Sequence, residues 1–468
     1  MEASKGSLFE LSLEECLARL TQEHNSLRVD RPCTLGDGVE LWSDQELESH
    51  LQSYQDCPPS PGELGLWVPA SGAATRMFAF LDSDPQAQRR LWDEANDLAF
   101  GSAWMKSLGV DDWRQGSVPI PEAVKALWRL MKKGQIPKGL VPFHRLDDSD
   151  GPSVETAFQA HLRSWRQVMP NGGDVWFTVQ ESHREEIQKH LAPVAESGKF
   201  RVHFPVQFPE TDTPVLDSQG GWLRTPEGDV FRRPGGHGAL LPVLEQVTAK
   251  TVVIRNIDNA PSPSCTPERV RWSQAMVAAA RTWDIERHHF QEVVKGTGVV
   301  STELLRWLAD SGSGIETEAS PENVSPARAL GLLDRPMRLV GVVRNEGQPG
   351  GGPFWVTVGE GVDQGLTKPQ IVESIEFTDA NKDILGKATH FNPVELVCIL
   401  NPGQPLGAYV DKSRSLKATK IVQGQSCRVL EHPGLWNGAM SGWLTRFVEI
   451  PASCFQPVKS ALDLLGRH

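Results

Sequence analysis

Three short, almost uninterrupted apolar runs constrain this fold most: residues 64–68, 175–179 and 251–254, separated by stretches with helical spacing. A strand with one face in water alternates apolar and polar side chains. These runs do not alternate, so they read as strands buried on both faces. Such strands interleaved with helices predict an α/β fold: a Rossmann-like, mixed and mostly parallel sheet with helices on both faces. Residues 338–343, 354–358, 395–400 and 446–450 read as further strands. Residues 1–60 read as a polar, helical N-terminal lead, with helical apolar spacing over 11–20. One large domain is expected over 61–466, carrying helical inserts at 80–134 and 260–330 and a closing part at 338–466.

Composition removes several classes of function. A net charge of -12 argues against a nucleic-acid partner. No apolar run approaches the roughly 20 residues that span a bilayer, so no membrane role is expected. Met1-Glu2-Ala3-Ser4-Lys5 lacks a charged-then-apolar leader pattern, and a cytoplasmic location is expected. The seven cysteines are scattered without a Cys-x-x-Cys pair, which suits a reducing compartment and gives no zinc signature. Oligomeric state leaves no trace in the sequence.

The first apolar run leads into Ser71-Gly72-Ala73-Ala74-Thr75-Arg76. A strand, a tight turn of small residues and a helix N-terminus direct free N–H groups and a positive dipole end at one spot, as a phosphate requires. Arg76 adds a forked, permanently charged donor. A turn serving packing alone would carry the same small residues. Further along, Pro137-Lys138-Gly139 sets a lysine on a rigid turn, where it is either aimed at a phosphate or simply exposed. Gly235-Gly236-His237-Gly238 lets backbone approach a flat ligand closely, unless it only turns the chain before a helix that His237 caps. Asp258 follows the 251–254 strand at a sheet edge, where open α/β sheets bind ligands. It is a natural Mg²⁺ ligand or a cap for the next segment. The glycine loop containing Gly351, followed by Glu373, fits a sugar hydroxyl site or a flexible hairpin. Asn392 or Glu395 would complete the metal site, and Lys459 would be a late phosphate contact; ordinary surface or packing roles stand beside each.

Taken in order, these segments resemble the sugar-1-phosphate nucleotidyltransferases, in particular the UDP-glucose and UDP-N-acetylhexosamine pyrophosphorylases. The 71–77 turn is similar to their Gly-Gly-x-Gly-Thr-Arg loop, Pro137-Lys138-Gly139 to their Pro-Lys-Gly segment, and Gln370-Ile371-Val372-Glu373 to their sugar-holding Ile-Val-Glu. Phe455-Gln456-Pro457-Val458-Lys459 with Asp463-Leu464-Leu465 is similar to their C-terminal motif. Three strings, at 233–240, 389–394 and 433–440, look more specifically like a bacterial family with a domain-of-unknown-function label, placed in the nucleotide-diphospho-sugar transferase superfamily. The resemblance implies that fold, with 61–466 as the catalytic domain and 338–466 as its sugar-binding half. It implies a nucleoside triphosphate, UTP or dTTP favoured, and a sugar-1-phosphate as substrates, with Mg²⁺ as cofactor. Arg76, Lys138 and Lys459 fall at catalytic positions; Ser71, Gly72, Ala73, Ala74, Thr75, Gln207, Gly235, Gly236 and His237 at nucleotide positions. Gln207 sits where a glutamine reads the uracil edge. Gly351, Glu373 and Asn392 fall at sugar positions, and Asp258 and Glu395 at the metal. Ser71 and Ala74 replace two glycines of the family loop; if position 74 requires positive φ, alanine is strained there by about 1–2 kcal/mol. A nucleotide-sugar binding protein without turnover, or a glycosyltransferase using a nucleotide-sugar, are the alternatives. The latter normally carries an Asp-x-Asp pair, which Asn256-Ile257-Asp258 only half matches.

Overall fold

Two of the three apolar runs lie side by side. In the computed structural model, which describes residues 11–21, 27–110, 118–148, 151–347 and 350–466, the strand Leu64–Pro69 pairs in parallel with Gly173–Thr178. The latter pairs in parallel with Phe200–His203. Every residue of Gly173–Thr178 and of Thr251–Arg255 is buried, as continuous apolar runs require. Gly65 lies opposite Asp174, and a Cβ there would stand 2.3 Å from the Trp176 ring, so the glycine admits a cross-strand indole.

The chain forms two compact units. One comprises Tyr54–Val206, Val253–Ala275 and Pro451–His468. Its main sheet runs in the order Thr251–Arg255 (in this unit from Val253), Leu64–Pro69, Gly173–Thr178, Phe200–His203, and a separate two-stranded sheet pairs Pro142–Asp148 with Gly151–Thr156. The helix Ala157–Val168 starts at a capping box in which Thr156 and Gln159 satisfy each other's backbone amides, and it buries Phe158, Leu162 and Trp165. The helices Pro85–Asp93, Gly101–Ser107 and Ile120–Leu130 enclose a core that includes Trp92, Trp104 and Leu127. Trp92 and Trp104 meet edge to face at 4.9 Å, and the Trp104 indole N–H donates to the Ala123 carbonyl.

The other unit comprises Met1–Ser53, Gln207–Val252 and Met276–Ile450. Its main sheet runs Thr34–Leu35, Gly38–Glu40, Leu444–Glu449, Met337–Arg344, His390–Ile399. Met337–Arg344 is parallel to Leu444–Glu449 and antiparallel to His390–Ile399, so this sheet is mixed. Two smaller antiparallel sheets join Arg28–Pro32 with Gly352–Thr357 and Thr367–Val372, and Arg232–Arg233 with Thr213–Leu216, Gln425–Glu431 and Leu416–Val422. Residues 28–40, expected inside a helical lead, are therefore strands that complete two sheets. Such short, polar strands acquire their hydrogen bonds from distant partners and show little local apolar pattern. No helix among the described residues is long and apolar enough to cross a membrane.

Candidate active site

The 71–76 turn is zipped to the segment that carries Lys138. Ala73 and Pro137 form an isolated antiparallel bridge. The Ala74 N–H donates to the Ile136 carbonyl at 2.9 Å, and the Lys138 N–H to the Gly72 carbonyl at 3.1 Å. The Thr75 hydroxyl donates to the Gly134 carbonyl, and Gln180, just past the end of Gly173–Thr178, donates from Nε2 to the Ser71 carbonyl. Two expectations change. Ala74 is buried but is not among the non-glycine residues with positive φ, so it carries no left-handed strain, and its amide is held by Ile136 rather than left for a ligand. The helix that follows, Arg76–Asp82, is 3₁₀ rather than α. Gly139 of the Pro-Lys-Gly segment is required by packing, since a Cβ would lie 2.2 Å from the Phe158 ring.

A second segment brings Lys459 to the same place. The Val458 N–H donates to the Asp258 carbonyl and the Gln456 N–H to Asn259 Oδ1, which docks the chain's last turns on residues 258–259. Asp463 accepts from the amides of Lys459 and Ser460, completing a capping box with Ser460. Lys459 Nζ then stands 2.7 Å from Asp258 Oδ2, and Lys138 Nζ stands 3.5 Å from the same oxygen. Asp258 and Lys138 are 14% and 15% exposed, Lys459 66%.

Electrostatics tie Arg76 to this group. Burial pulls the Lys138 ammonium below the usual lysine range; the neighbouring cations Lys459 and Arg76 add to that, and Asp258 offsets part of it. Burial pushes the Asp258 carboxyl upward, but Lys138 and Lys459 outweigh it and hold it below the ordinary aspartate range. One carboxylate thus orients two ammonium groups beside a guanidinium. Cations in excess of anions can attract a multiply charged anion such as a phosphate chain.

In the other unit, three segments meet around His237. Its Nδ1 accepts the Leu435 N–H at 3.1 Å, which leaves the Nε2 proton facing Glu373 Oε1 at 3.3 Å. His237 therefore does not cap the short helix it begins, whose N-cap is Gly236. The Trp436 ring lies 6.2 Å away, tilted by 35°. Glu373 caps the turn Ser374–Glu376 in a reciprocal box with Glu376. Glu376 in turn takes Nε and Nη2 of Arg414 at 2.8 Å and Asn437 Nδ2 at 2.7 Å, all buried. A Cβ at Gly235 would strike the His432 ring, and one at Gly351 would lie 2.0 Å from the Val372 carbonyl, so both glycines allow segments of this site to approach. Gly236 has φ 82° and ψ −176°, a region open essentially to glycine alone. Gly236→Ala is expected to destabilise the protein by about 1–3 kcal/mol, read as a lowered urea midpoint. An unchanged midpoint would show that this turn relaxes freely.

Gln207 donates from Nε2 to Asp212 Oδ1 at 3.1 Å, which fixes its amide but engages one of its donors within the protein. Asn392 lies on the strand His390–Ile399, but its side chain is outside the described ones. Glu395, expected as a metal ligand, sits mid-strand opposite Gly341 and is 1% exposed. A carboxylate so enclosed is no open ligand for an ion carried by substrate, which corrects that expectation. Among the described residues no group of three or more His, Cys, Asp or Glu is placed to hold a metal ion. Asp258 alone offers one carboxylate; that fits Mg²⁺ only with phosphate oxygens completing its shell. Gln180, Glu376 and Arg414 leave no motif in the sequence, because each acts on a segment far along the chain.

The chain matches, over residues 4–108 and 123–468, the family model described as Domain of unknown function (DUF4301). No curated protein matches it significantly. Among solved structures it is similar to a mutant UDP-glucose pyrophosphorylase from Leishmania major in complex with UDP-glucose, at 14% identity and TM-score 0.45, covering 98% of this chain and 72% of that one. It is similar to the uridine diphosphate N-acetylglucosamine pyrophosphorylase from Trypanosoma brucei in complex with inhibitor, at 12% identity and TM-score 0.49, covering 93% and 71%. A UDP-glucose phosphorylase from Trypanosoma brucei is similar at 13% identity and TM-score 0.43, covering 94% and 69%.

Proposed function

We propose that this chain, which belongs to the family described as Domain of unknown function (DUF4301), is a nucleotidyltransferase that joins a nucleoside triphosphate and a sugar-1-phosphate, releasing pyrophosphate. The observation that carries this reading is the gathering of Lys138 and Lys459 on Asp258, with Arg76 close enough to depress the Lys138 ammonium. In the proposed reaction an oxygen of the sugar phosphate attacks the α-phosphorus. One P–O bond forms, the bond to the bridging oxygen breaks, and its electron pair leaves with pyrophosphate. Catalysis of this kind needs positioning and charge neutralisation and no covalent enzyme intermediate. Arg76 and the 71–76 turn hold the triphosphate. Lys138 and Lys459 contact the α-phosphate or the attacking phosphate, and Asp258 keeps both ammonium groups oriented. Mg²⁺, held by Asp258 and phosphate oxygens, would offset charge on the departing pyrophosphate. The family resemblance assigns Gln207 and residues 235–237 to a uracil or thymine base, and Gly351, Glu373 and Asn392 to the sugar.

Pyrophosphate release from a grid of nucleoside triphosphates against sugar-1-phosphates, with Mg²⁺, tests this. Release that requires one base and one sugar phosphate is the expected result. The engagement of the Ala74 amide, which leaves the turn one donor poorer, favours a second reading: a nucleotide-sugar binding protein without turnover. Silence across the grid, with a nucleotide-sugar still raising Tm, would select it.

The lysines also set a pH dependence. Lys138 must be protonated to hold phosphate, and its folded pKa lies below the ordinary 10.5. kcat/KM, which reports the free enzyme, is expected to fall on an alkaline limb below that value. Lys138→Arg should move the limb upward, because guanidinium keeps its proton. A limb unmoved by this change would assign it to another group.

A further inference from the structure

The helical stretch before Lys138 ends in a turn that ordinary side chains avoid. Lys132 and Lys133 hold φ of 49° and 54°, and Gly134 follows at 75°. Left-handed backbone is costly for a residue with a Cβ, and strain of this kind persists mainly at sites that bind or switch. Both lysines line a groove of about 840 Å³ with Lys125, Trp128 and Arg129 of the helix Ile120–Leu130, and Asp82. Lys125, Trp128 and Arg129 are three and four residues apart, so they share one helix face. Lys132 pairs with Glu186 at 2.8 Å. Among the described residues, Lys125, Arg129 and Lys133 have no carboxylate partner. On a chain of net charge -12, the described groove residues place four cations against Asp82, with Glu186 on Lys132, which is a local excess of positive charge. It lowers the free energy of a bound polyanion, and the half-buried Trp128 adds a flat surface on which a base can stack.

We propose that this groove is a second anion site, separate in its residues from the Arg76, Lys138, Asp258 and Lys459 cluster, that binds the polyphosphate chain of a small ligand. The chain is free inorganic polyphosphate or part of a nucleoside triphosphate. The proposal does not rest on the function proposed above.

Isothermal titration of the full chain with tripolyphosphate, and separately with UTP, at low ionic strength tests it. Two equivalents of tripolyphosphate are expected. The variant Lys125→Ala/Arg129→Ala/Lys133→Gly should keep one and bind the other about tenfold more weakly or less, since charge-assisted phosphate contacts are lost. Lys133→Gly alone should raise Tm by relieving the strained backbone, so weaker binding with a higher Tm separates function from damage. Trp128→Leu should weaken UTP but not tripolyphosphate if the ligand is a nucleotide, and neither if it is free polyphosphate; both support the site. Unchanged stoichiometry and affinity in the triple variant would overturn it. So would a single equivalent that disappears in Lys138→Ala/Lys459→Ala. A single equivalent lost only in the triple variant would uphold the groove and count against the transferase reading.

Discussion

Lys138→Ala is expected to lower turnover about 10²–10³-fold without disturbing the fold, the usual cost of losing one preorganised charge donor. Its side chain is 15% exposed, its backbone N–H is tied to the Gly72 carbonyl, and the next residue is pinned under the Phe158 ring. No water replaces a group so placed with the same charge or direction. Lys459 shares the same carboxylate oxygen but is 66% exposed, so solvent screens it and compensates its loss. Lys459→Ala should therefore cost less, about tenfold. Arg76 is likewise exposed, so Arg76→Ala should also cost less than Lys138→Ala. The ordering is the informative part. Steady-state rates with the substrates identified by pyrophosphate release would measure it, and equal losses at Lys138 and Lys459 would refute the assigned roles.

Arg414→Ala is expected to destabilise its unit by about 3–5 kcal/mol, the cost of leaving a buried partner charge uncompensated. Arg414 and Glu376 are 1% and 3% exposed and meet through two 2.8 Å hydrogen bonds. Arg414 also donates to Gln370 Oε1 and the Ile371 carbonyl. With the guanidinium gone, Glu376 is left as a buried carboxylate without its cation. Glu376→Gln in the same chain should recover part of the loss, since a neutral amide costs less to bury than a carboxylate. Urea unfolding of both variants would decide it; a midpoint unmoved by Arg414→Ala would mean the pair is not what holds these loops. The effect reaches the candidate site. Glu376 accepts the Glu373 N–H and holds Asn437, so Arg414 is a positioning residue for the Glu373 and His237 pair.

Leu64–Pro69, Gly173–Thr178 and Thr251–Arg255 were legible because they are covered on both faces, and burial leaves a continuous apolar run. The same logic fails at residues 28–40. There the strands are short and polar, paired with Gly352–Thr357 and Leu444–Glu449 more than 300 residues on, and no local pattern announces them. The 3₁₀ rather than α character of Arg76–Asp82 was equally invisible, because both need the same apolar spacing over one or two turns.

Local sequence places Arg76 after the first strand, Lys138 between Pro137 and Gly139, Asp258 after Thr251–Arg255, and Lys459 in the 455–459 motif. Those are local properties, set by propensity and by the chemistry of each side chain. Folding in three dimensions sets Lys138 and Lys459 on one oxygen of Asp258 and gives the Ala74 amide to Ile136. It also encloses Glu395 while Glu373 faces His237. Charge proximity, burial and hydrogen-bond pairing depend on distance through space. Residues 138 and 459 have no physical relation until the chain is folded, and the pKa shifts that tie them to one carboxylate arise only then.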